Sequence, residues 1–302
     1  MARTVALVGA GDVAKYFVEE FLRVGYKVIV LSRAARPWFS DRPDIIFCVS
    51  DYTTASFLEI FDTYTVEAVF CLIHDNSFLY TSVHESILSA CTASKTAKRF
   101  VPSEYDGNID VHWDKPRFHL HTHVPFRERL ARQDAIKYTL LCHGWFMDYV
   151  VPADKIYLKD IYPVWPVDIN NGFDDVVIPG SGEEAIGLTA ARDVARVGAQ
   201  LLEVPEWTEK TYVCGEYTTW NVLIAQLGRF YGRRFNIVYK PVSGVQKVMD
   251  DPAATETALN FAYMEEWNFS GASAPPKEQL LSEVRLRSVA ELLEDGKRGG
   301  VV

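Results

Sequence analysis

The chain has 302 residues, of which 48% are apolar and 24% charged, a composition typical of a globular protein and not of a disordered one. Lys and Arg number 31 against 40 for Asp and Glu, which gives a formal net charge of −9. Because an acidic surface repels phosphate backbones, we expect no general nucleic-acid binding.

The cellular compartment is indicated by the apolar runs and by the cysteines. No apolar run approaches the roughly 18–20 residues of a membrane span, and a strand-like run begins at Val5, which leaves no room for a cleavable signal. The five cysteines are widely spaced and odd in number, which favours buried free thiols over disulfides. We therefore predict a soluble, cytoplasmic protein, a monomer or homodimer, with no membrane partner.

Short, nearly continuous apolar runs alternate with amphipathic segments through the first half of the chain. Such runs are typical of strands that are covered on both faces, and the longer segments between them have helical spacing. The alternation predicts an α/β fold with a doubly wound parallel sheet. The predicted strands are Thr4–Val8, Lys27–Leu31, Ile45–Val49, Ala68–Ile73, Arg99–Pro102 and Tyr138–Cys142. The predicted helices are Val13–Val24, Ala55–Tyr64, Tyr80–Lys95 and Phe126–Gln133.

The pattern changes after about Tyr149, where residues 151–187 are rich in Pro, Gly and Asp. We predict a nucleotide-binding domain over residues 1–150 and a smaller α+β substrate domain over residues 151–302, interleaved with the first and forming one wall of a cleft. Thr189 and Asp193 are expected to cap the first helix of this second region. Its predicted helices are Ala191–Glu203, residues 218–232, capped by Thr218 or Thr219 and ended by Gly232, and Lys277–Asp295.

A glycine turn, Gly9-Ala10-Gly11-Asp12-Val13, follows the first strand and opens the first helix. A glycine at positive φ permits the tight turn, and a second glycine lets the backbone approach a pyrophosphate, which binds the free N–H groups at the helix start. In this strand–turn–helix context we predict a Rossmann-type sheet with Gly9, Gly11, Asp12 and Val13 at the cofactor. The alternative is an ordinary strand-to-helix turn.

The end of the second strand predicts which dinucleotide is bound. An NAD-specific fold usually places a carboxylate there, whereas this chain has Ser32 and Arg33, with Arg36 close behind. A guanidinium pairs with a 2′-phosphate through charge-assisted hydrogen bonds of ~1.5–3 kcal/mol each. We predict NADP(H), the alternative being that Arg33 is a solvated loop charge. Asp51 is placed to meet the adenine, or else to cap the next helix.

Several longer segments carry a family resemblance. They include Arg99–Tyr105, the pair Tyr138-Thr139, Gly144–Tyr149, Pro179–Gly182, Ala191–Ala195 and Gly215–Trp220. With the glycine turn, they resemble the NmrA-like and isoflavone-reductase-like group of atypical short-chain dehydrogenases along most of the chain. The resemblance implies an NADP(H)-binding Rossmann domain, a smaller substrate domain, and aromatic or alkaloid-like substrates, as in a fungal natural-product pathway. It also includes regulators that bind the dinucleotide without catalysis.

Two departures from the family pattern are visible. The glycine turn usually reads Gly-x-x-Gly-x-x-Gly, but here Val8, Gly11 and Ala14 occupy those positions, or the loop is one residue shorter. The catalytic lysine of the family's reductases is also missing from the stretch around residues 119–124. We expect His123 to take the place of this lysine in acid–base chemistry. His121 is the candidate in the neighbouring alignment register. The alternative is that His123 only packs.

Three histidines at positions 119, 121 and 123 invite a zinc hypothesis. We predict no metal, because the family binds none and Asp114 is the only carboxylate evident nearby.

Polar residues follow the fourth and fifth strands at the sheet edge where such folds bind ligands. Pro102 and Ser103 are expected at the cofactor, and Tyr105 to donate a proton. Glu104 is expected either to contact substrate or to make a structural hydrogen bond. His74 is expected near the nicotinamide ribose, or else to be a solvated loop residue.

Aromatic residues are expected to line the substrate site, with ordinary core packing as the alternative. We take them to be Trp113, Phe118, Trp145, Phe146, Tyr149, Trp165 and Trp267. Together these features predict an NADP(H)-dependent oxidoreductase of a hydrophobic small molecule that acts on a C=C, C=O or C=N bond, with a variant that couples redox to a stereoselective cyclisation. The alternatives are an NADP(H)-sensing regulator and a non-redox cyclase or isomerase.

Overall fold

The structure is a computed structural model and describes residues 3–278, 281 and 283–302. Its centre is a six-stranded sheet whose neighbouring strands all pair in parallel. The strands are β1 (Thr4–Val8), β2 (Lys27–Ser32), β3 (Ile46–Val49), β4 (Val66–Cys71), β5 (Arg99–Val101) and β6 (Lys137–Tyr138). Their order, β3-β2-β1-β4-β5-β6, reverses next to β1 and is the order of Rossmann dinucleotide-binding sheets. The predicted Rossmann-type α/β fold is confirmed.

Helices cover both faces of this sheet. They are α1 (Asp12–Arg23), α2 (Pro37–Ser40), α3 (Thr54–Thr63), α4 (Phe78–Ala93), α5 (His123–Ala131) and α6 (Ala191–Glu203). Val5 and Leu7 of β1 pack in one core with α1 and α6, whereas Ala6 and Val8 pack in another with α3 and α4. Successive strand residues face opposite sides, so continuously apolar strands require a helix layer on each side.

The rest of the chain forms smaller units beside the sheet. β8 (Trp145–Phe146), β10 (Ala185–Thr189) and β12 (Glu216–Thr219) make a three-stranded sheet. β7 (Leu140–Cys142) pairs with β11 (Lys210–Tyr212), and β9 (Asp175–Pro179) pairs with β13 (Asn236–Lys240). The helices are α7 (Trp220–Tyr231), α8 (Val242–Asp250), α9 (Glu256–Phe269) and α10 (Val289–Gly296). β8 precedes residue 150 but pairs with β10, which follows it. This pairing crosses the predicted domain boundary at residue 150, and the boundary stays a prediction.

Three predicted elements differ from the observed ones. The predicted strand Tyr138–Cys142 is divided between β6 and β7, because its second half pairs with β11 and not with β5. Helix α5 begins at His123 and not at Phe126, since Pro125 is tolerated in a first turn, where its missing N–H has no intrahelical partner. The predicted helix Lys277–Asp295 is wrong over its described first part, because Ser288 caps a helix that only starts at Val289.

The predicted caps had mixed outcomes. Thr219 caps α7 through the N–H of Val222, and Gly232 ends that helix at φ 64°, as predicted. Helix α6 has no side-chain cap from Thr189 or Asp193. The Thr189 hydroxyl donates to the His143 carbonyl at 2.8 Å instead. The first N–H of α6, that of Ala191, donates to the carboxylate of Asp148, which is distant in sequence.

All five cysteines are free thiols, and four of them are buried. Within the described ranges, none of the helices combines the length and apolar character needed to cross a bilayer.

Candidate functional site

The glycine turn has the shape that a phosphate site requires. Gly9 has a φ of +114°, and a Cβ there would lie 3.1 Å from Ile73 Cγ1 and 3.2 Å from the Leu72 carbonyl carbon. Gly11 precedes α1 without any side-chain cap, and a Cβ on it would meet nothing within 4 Å. The start of α1 is thus left without a side-chain cap, which fits an anion held at a helix N-terminus. Asp12 pairs with Lys15 at 2.9 Å beside this turn.

Two guanidinium groups without carboxylate partners follow β2. Ser32 is buried, whereas Arg33 and Arg36 are exposed, and neither pairs with a carboxylate among the described residues. Arg33 lies 5.7 Å from the ring centroid of Tyr52. Nearby Arg42, in contrast, is bound to Asp44 at 2.6 Å. Free cations at the end of β2 fit the 2′-phosphate of NADP(H).

Asp51 is engaged at the start of the next helix. Its carboxylate accepts from the N–H and the hydroxyl of Thr53 at 3.0 and 2.8 Å, and these hydrogen bonds lower its pKa. Thr53 in turn caps α3. Asp51 therefore does not cap α3 itself but binds Thr53, which does, and its contact with the adenine stays a prediction.

A cavity of about 370 Å³ opens at the carboxyl ends of β4, β5 and β7. Residues distant in sequence meet here, because the carboxyl ends of parallel strands share one edge of the sheet. The structure brings together eleven of the predicted site residues around this cavity: Val13, His74, Ser103, Glu104, Tyr105, Phe118, His123, Trp145, Phe146, Tyr149 and Trp267.

Three residues predicted for the site do not line the cavity. Trp113 is half-exposed, and only its carbonyl is used, as an acceptor from Arg127 at 2.6 Å. Trp165 packs behind Trp145, with ring centroids 5.9 Å apart. Pro102 is buried away from the opening. Sequence spacing identifies these residues as aromatic or strand-terminal but does not determine which way they face.

Other cavity residues were not among the predicted site residues. The main ones are Asp106, His119, His143 and Met264. Met264 comes from α9, an element for which the sequence analysis predicted no helix. Trp267, on the same helix, was predicted from its aromatic character; nothing in the sequence places α9 against the sheet edge.

A buried charge cluster lies beneath the cavity. The Arg127 guanidinium pairs with Glu104 and lies 3.3 Å from Oδ2 of Asp106, so two carboxylates share one cation. Oδ1 of Asp106 accepts from the Trp267 indole N–H at 2.8 Å and from the Gly107 N–H at 2.7 Å. Burial raises the pKa of Asp106 to about 7, with Arg127 opposing the shift and Glu104 adding to it. Glu104 is therefore held by an ion pair with Arg127 and not by a hydrogen bond to loop backbone, and its contact with substrate stays a prediction.

A stack of aromatic rings forms one wall. The ring centroids of Tyr80 and His84 are 3.9 Å apart, those of Tyr80 and His123 4.1 Å, and those of His123 and His119 3.9 Å. His84 donates from Nδ1 to the Tyr80 carbonyl at 2.7 Å and accepts at Nε2 from the Ser103 N–H at 3.0 Å. A neutral His84 therefore anchors the loop that carries Ser103.

His123 is a neutral acceptor in this wall. The Thr122 hydroxyl donates to the Phe118 carbonyl at 3.0 Å, so Nδ1–H of His123 must be the donor in its 2.9 Å contact with Thr122. That leaves Nε2 as the acceptor. Burial, with smaller contributions from neighbouring histidines and Arg127, holds the pKa of His123 well below its ordinary value.

The other candidates for the missing lysine are engaged or displaced. His121 is exposed and does not line the cavity, and Lys115 is bound to Glu266 at 3.0 Å. His119 and His123 share one face without His121. Over the ranges that the structure describes, no group of three His, Cys, Asp or Glu side chains is arranged to hold a metal ion.

Two buried polar side chains at the cavity lack hydrogen-bond partners. The Tyr105 hydroxyl has none, and the residue has a φ of 42°, which is unusual for a non-glycine residue. Burial raises the pKa of Tyr105 well above its ordinary value. Both ring nitrogens of His143 are also without partners, and burial lowers its pKa to about 3. Such groups are uncommon in protein interiors and indicate a ligand.

The sequence profile of the NmrA-like family matches residues 1–294 of the chain. The chain belongs to the NmrA-like family. The oxidoreductase swnR of Arthroderma benhamiae is 38% identical over 229 residues, which cover 75% of this chain and 73% of that protein. This membership confirms the family that the sequence motifs indicated.

Solved structures share the fold over nearly the whole chain. The leucoanthocyanidin reductase–NADPH complex from Vitis vinifera has a TM-score of 0.74 at 14% identity and covers 97% of this chain and 99% of its own. The complex of AtPrR2 with NADP⁺ and (+)-pinoresinol has a TM-score of 0.73 at 15% identity, covering 98% and 99%. At these identities the likeness concerns the fold.

Proposed function

We propose that this NmrA-like protein is an NADP(H)-dependent oxidoreductase of a hydrophobic aromatic or alkaloid-like small molecule. The observation that carries the proposal is the cavity beside the glycine turn, with Val13 from the first turn of α1 and the unpartnered Tyr105 hydroxyl in one lining. A dinucleotide whose pyrophosphate binds at α1 places its other end in this cavity. The curated relative named an oxidoreductase supports the same conclusion.

The chain's own residues divide the cofactor between them. Arg33 and Arg36 hold the 2′-phosphate, the N-terminus of α1 holds the pyrophosphate, and Ser103 and His74 lie beside the nicotinamide ribose. The bound cofactor supplies or accepts the hydride. The two NADPH and NADP⁺ complexes with the same fold support this assignment of the dinucleotide.

Tyr105 and His123 take part in proton transfer during the reaction. The Tyr105 hydroxyl remains protonated because burial raises its pKa, so it offers a hydrogen to the substrate atom that gains electrons. His123 offers the lone pair of Nε2 in place of the family's lysine ammonium. The site therefore orients substrate through neutral groups, without the permanent charge of an unperturbed lysine.

The walls suit a flat, apolar substrate. Phe118, Trp145, Tyr149 and Trp267 supply the aromatic surface, and about 370 Å³ is enough for a small organic ligand. The pinoresinol and leucoanthocyanidin reductase structures show that this fold accommodates aromatic ligands and reductase chemistry. A cyclisation shaped by the same walls is the finer variant of this proposal.

The test is turnover with candidate aromatic and alkaloid substrates, read as NADPH absorbance together with product mass. Tyr105→Phe and His123→Phe are each expected to lower kcat about 10²-fold or more. The control Tyr231→Phe changes a hydroxyl remote from the cavity, which donates to the Val150 carbonyl at 2.7 Å, and is expected to keep kcat.

Three outcomes separate the alternatives. Product that requires cofactor but consumes none indicates a redox-neutral cyclase, and product without cofactor indicates a non-redox cyclase or isomerase. Tight NADPH binding with no turnover on any substrate refutes the enzyme and supports an NADP(H)-sensing regulator.

A further inference from the structure

His143 is a buried histidine whose ring nitrogens have no hydrogen-bond partner in any other residue that the structure describes. It follows β7 at the carboxyl edge of the sheet, its side chain lines the cavity, and the residue is 1% exposed. Its ring centroid lies 4.5 Å from that of Phe146 and 5.9 Å from that of Tyr105. Neither Nδ1 nor Nε2 has a hydrogen-bond partner.

Backbone contacts hold this histidine in place. The N–H groups of His143 and Gly144 both donate to the Asp106 carbonyl, at 2.7 and 2.9 Å, and the His143 carbonyl accepts from the Thr189 hydroxyl. Gly144 has a φ of +76°, and a Cβ there would lie 2.3 Å from the Gly187 carbonyl oxygen. These contacts fix the backbone of His143 beside the cavity.

An unpartnered buried imidazole is unfavourable, since each unmet polar atom costs about 1–3 kcal/mol. The comparison with His84 is instructive, because that buried histidine has protein partners at both nitrogens. At a site bordered by Phe146 and Tyr105, a phenylalanine would pack without that cost. A ligand that makes hydrogen bonds with both ring nitrogens explains why position 143 is a histidine and not a phenylalanine.

We propose that His143, beside Tyr105, binds one neutral ligand group that carries both a hydrogen-bond donor and an acceptor, such as a carboxamide or a hydroxyl. This inference rests on the proposed function, because that function supplies the two ligands that could carry such a group. One is the nicotinamide carboxamide of the cofactor, and the other is a hydroxyl of the aromatic substrate.

The neutrality of the group follows from what surrounds it. Burial keeps the His143 ring uncharged, since its pKa is lowered to about 3, and Tyr105 keeps its proton. Neither side chain offers a counter-charge to a ligand carboxylate or ammonium, and desolvating an unpaired charge is expensive. A neutral imidazole presents one N–H and one lone pair, which a group with a donor and an acceptor matches.

The experiment measures dissociation constants by tryptophan fluorescence for four probes. NADP⁺ and 2′-phospho-ADP-ribose differ by the nicotinamide, while 2-naphthol and naphthalene, added to the NADP⁺ complex, differ by a hydroxyl. The variants are His143→Phe, which keeps a ring without nitrogens, and His143→Gln, which restores a donor and an acceptor. His121→Phe, at an exposed position outside the cavity, is the matched control.

Two results support the proposal and distinguish the sources. If the carboxamide is bound, His143→Phe weakens NADP⁺ about fivefold or more and leaves 2′-phospho-ADP-ribose unchanged. If a substrate hydroxyl is bound, the same variant weakens 2-naphthol and leaves naphthalene and NADP⁺ unchanged. His143→Gln recovers most of the loss in either case, and His121→Phe changes none of the four constants.

Equal constants for wild type and His143→Phe with every probe overturn the proposal. So does an equal loss for the paired probes, because that pattern reports a change of cavity shape and not of hydrogen bonding. Failure of the wild type to bind NADP⁺ refutes the proposed function by itself, and 2-naphthol and naphthalene, then added to the free protein, still test His143. Failure to bind both NADP⁺ and 2-naphthol refutes both.

Discussion

Two regions of this molecule handle charge in opposite ways. The nucleotide edge is formed by Gly9–Val13 and Ser32–Arg36, from two strand-to-helix turns near the start of the chain. It leaves two guanidinium groups exposed and, among the residues that the structure describes, without carboxylate partners. The cavity floor, formed by Glu104, Asp106 and Arg127, is buried and pairs its cation with two carboxylates. An exposed cation is solvated at little cost and stays ready for a ligand, whereas a buried one must be paired by the protein itself.

The largest expected effect comes from removing the cation of the cavity floor. Arg127→Met leaves Glu104 and Asp106 buried together without a positive charge, and we expect a loss of about 3–5 kcal/mol in the free energy of unfolding. Urea denaturation measures it. The control is Arg132→Met on the same helix, which breaks an exposed 2.8 Å pair with Glu128 and is expected to cost less than about 0.5 kcal/mol. Similar small losses for both variants would mean that water reaches the cavity floor.

The nucleotide edge predicts a smaller and purely ligand-dependent effect. Arg33→Ala is expected to weaken NADPH binding about tenfold or more, because a charge-assisted hydrogen bond of ~1.5–3 kcal/mol is lost, and to leave NADH binding nearly unchanged. Fluorescence titration with both dinucleotides measures the difference. Arg42→Ala serves as control, because Arg42 is already bound to Asp44 and should change neither constant. Equal losses of NADPH and NADH on Arg33→Ala contradict the assigned role.

The smallest effect is a pH dependence of the cavity floor. Asp106 has a pKa raised from 3.8 to about 7 in the folded protein, so its protonated form stabilises the fold and this contribution is lost as the pH rises from about 4 to about 7. Asp106→Asn does not titrate. The unfolding free energy of wild type relative to this variant should therefore fall as the pH rises from 5 to 8.

Asp110→Asn is the control for that pH dependence. Partial burial opposes the shift, but hydrogen bonds with Lys210 and Tyr212 hold the pKa of Asp110 below its ordinary value, so its titration lies below this pH window. The difference between wild type and Asp110→Asn should stay constant from pH 5 to pH 8. A difference for Asp106→Asn that also stays constant from pH 5 to pH 8 instead shows that Arg127 keeps Asp106 ionised.

The comparison also explains which parts of the site could be predicted. Gly9, Gly11 and Arg33 lie in short turns, and the residues next to them in sequence are enough to predict those turns. In the structure, all three residues lie in such turns. His119, Asp106 and Trp267 reach the cavity from a 3₁₀ turn, a loop and α9, and no local pattern connects these segments. Trp165 shows the opposite error of sequence-based prediction. It was expected in the cavity wall, but it packs behind that wall and does not line the cavity.

The order of strands and helices in the first half, the apolar character of each strand and the glycine turn were determined by the sequence alone, because backbone conformation and hydrophobic periodicity are local properties. The tertiary structure decided which buried groups have partners. Whether a histidine is satisfied like His84 or left open like His143 depends on atoms from distant segments that meet only when the chain has folded. The unmet groups around the cavity, and with them the chemistry proposed here, are consequences of that packing.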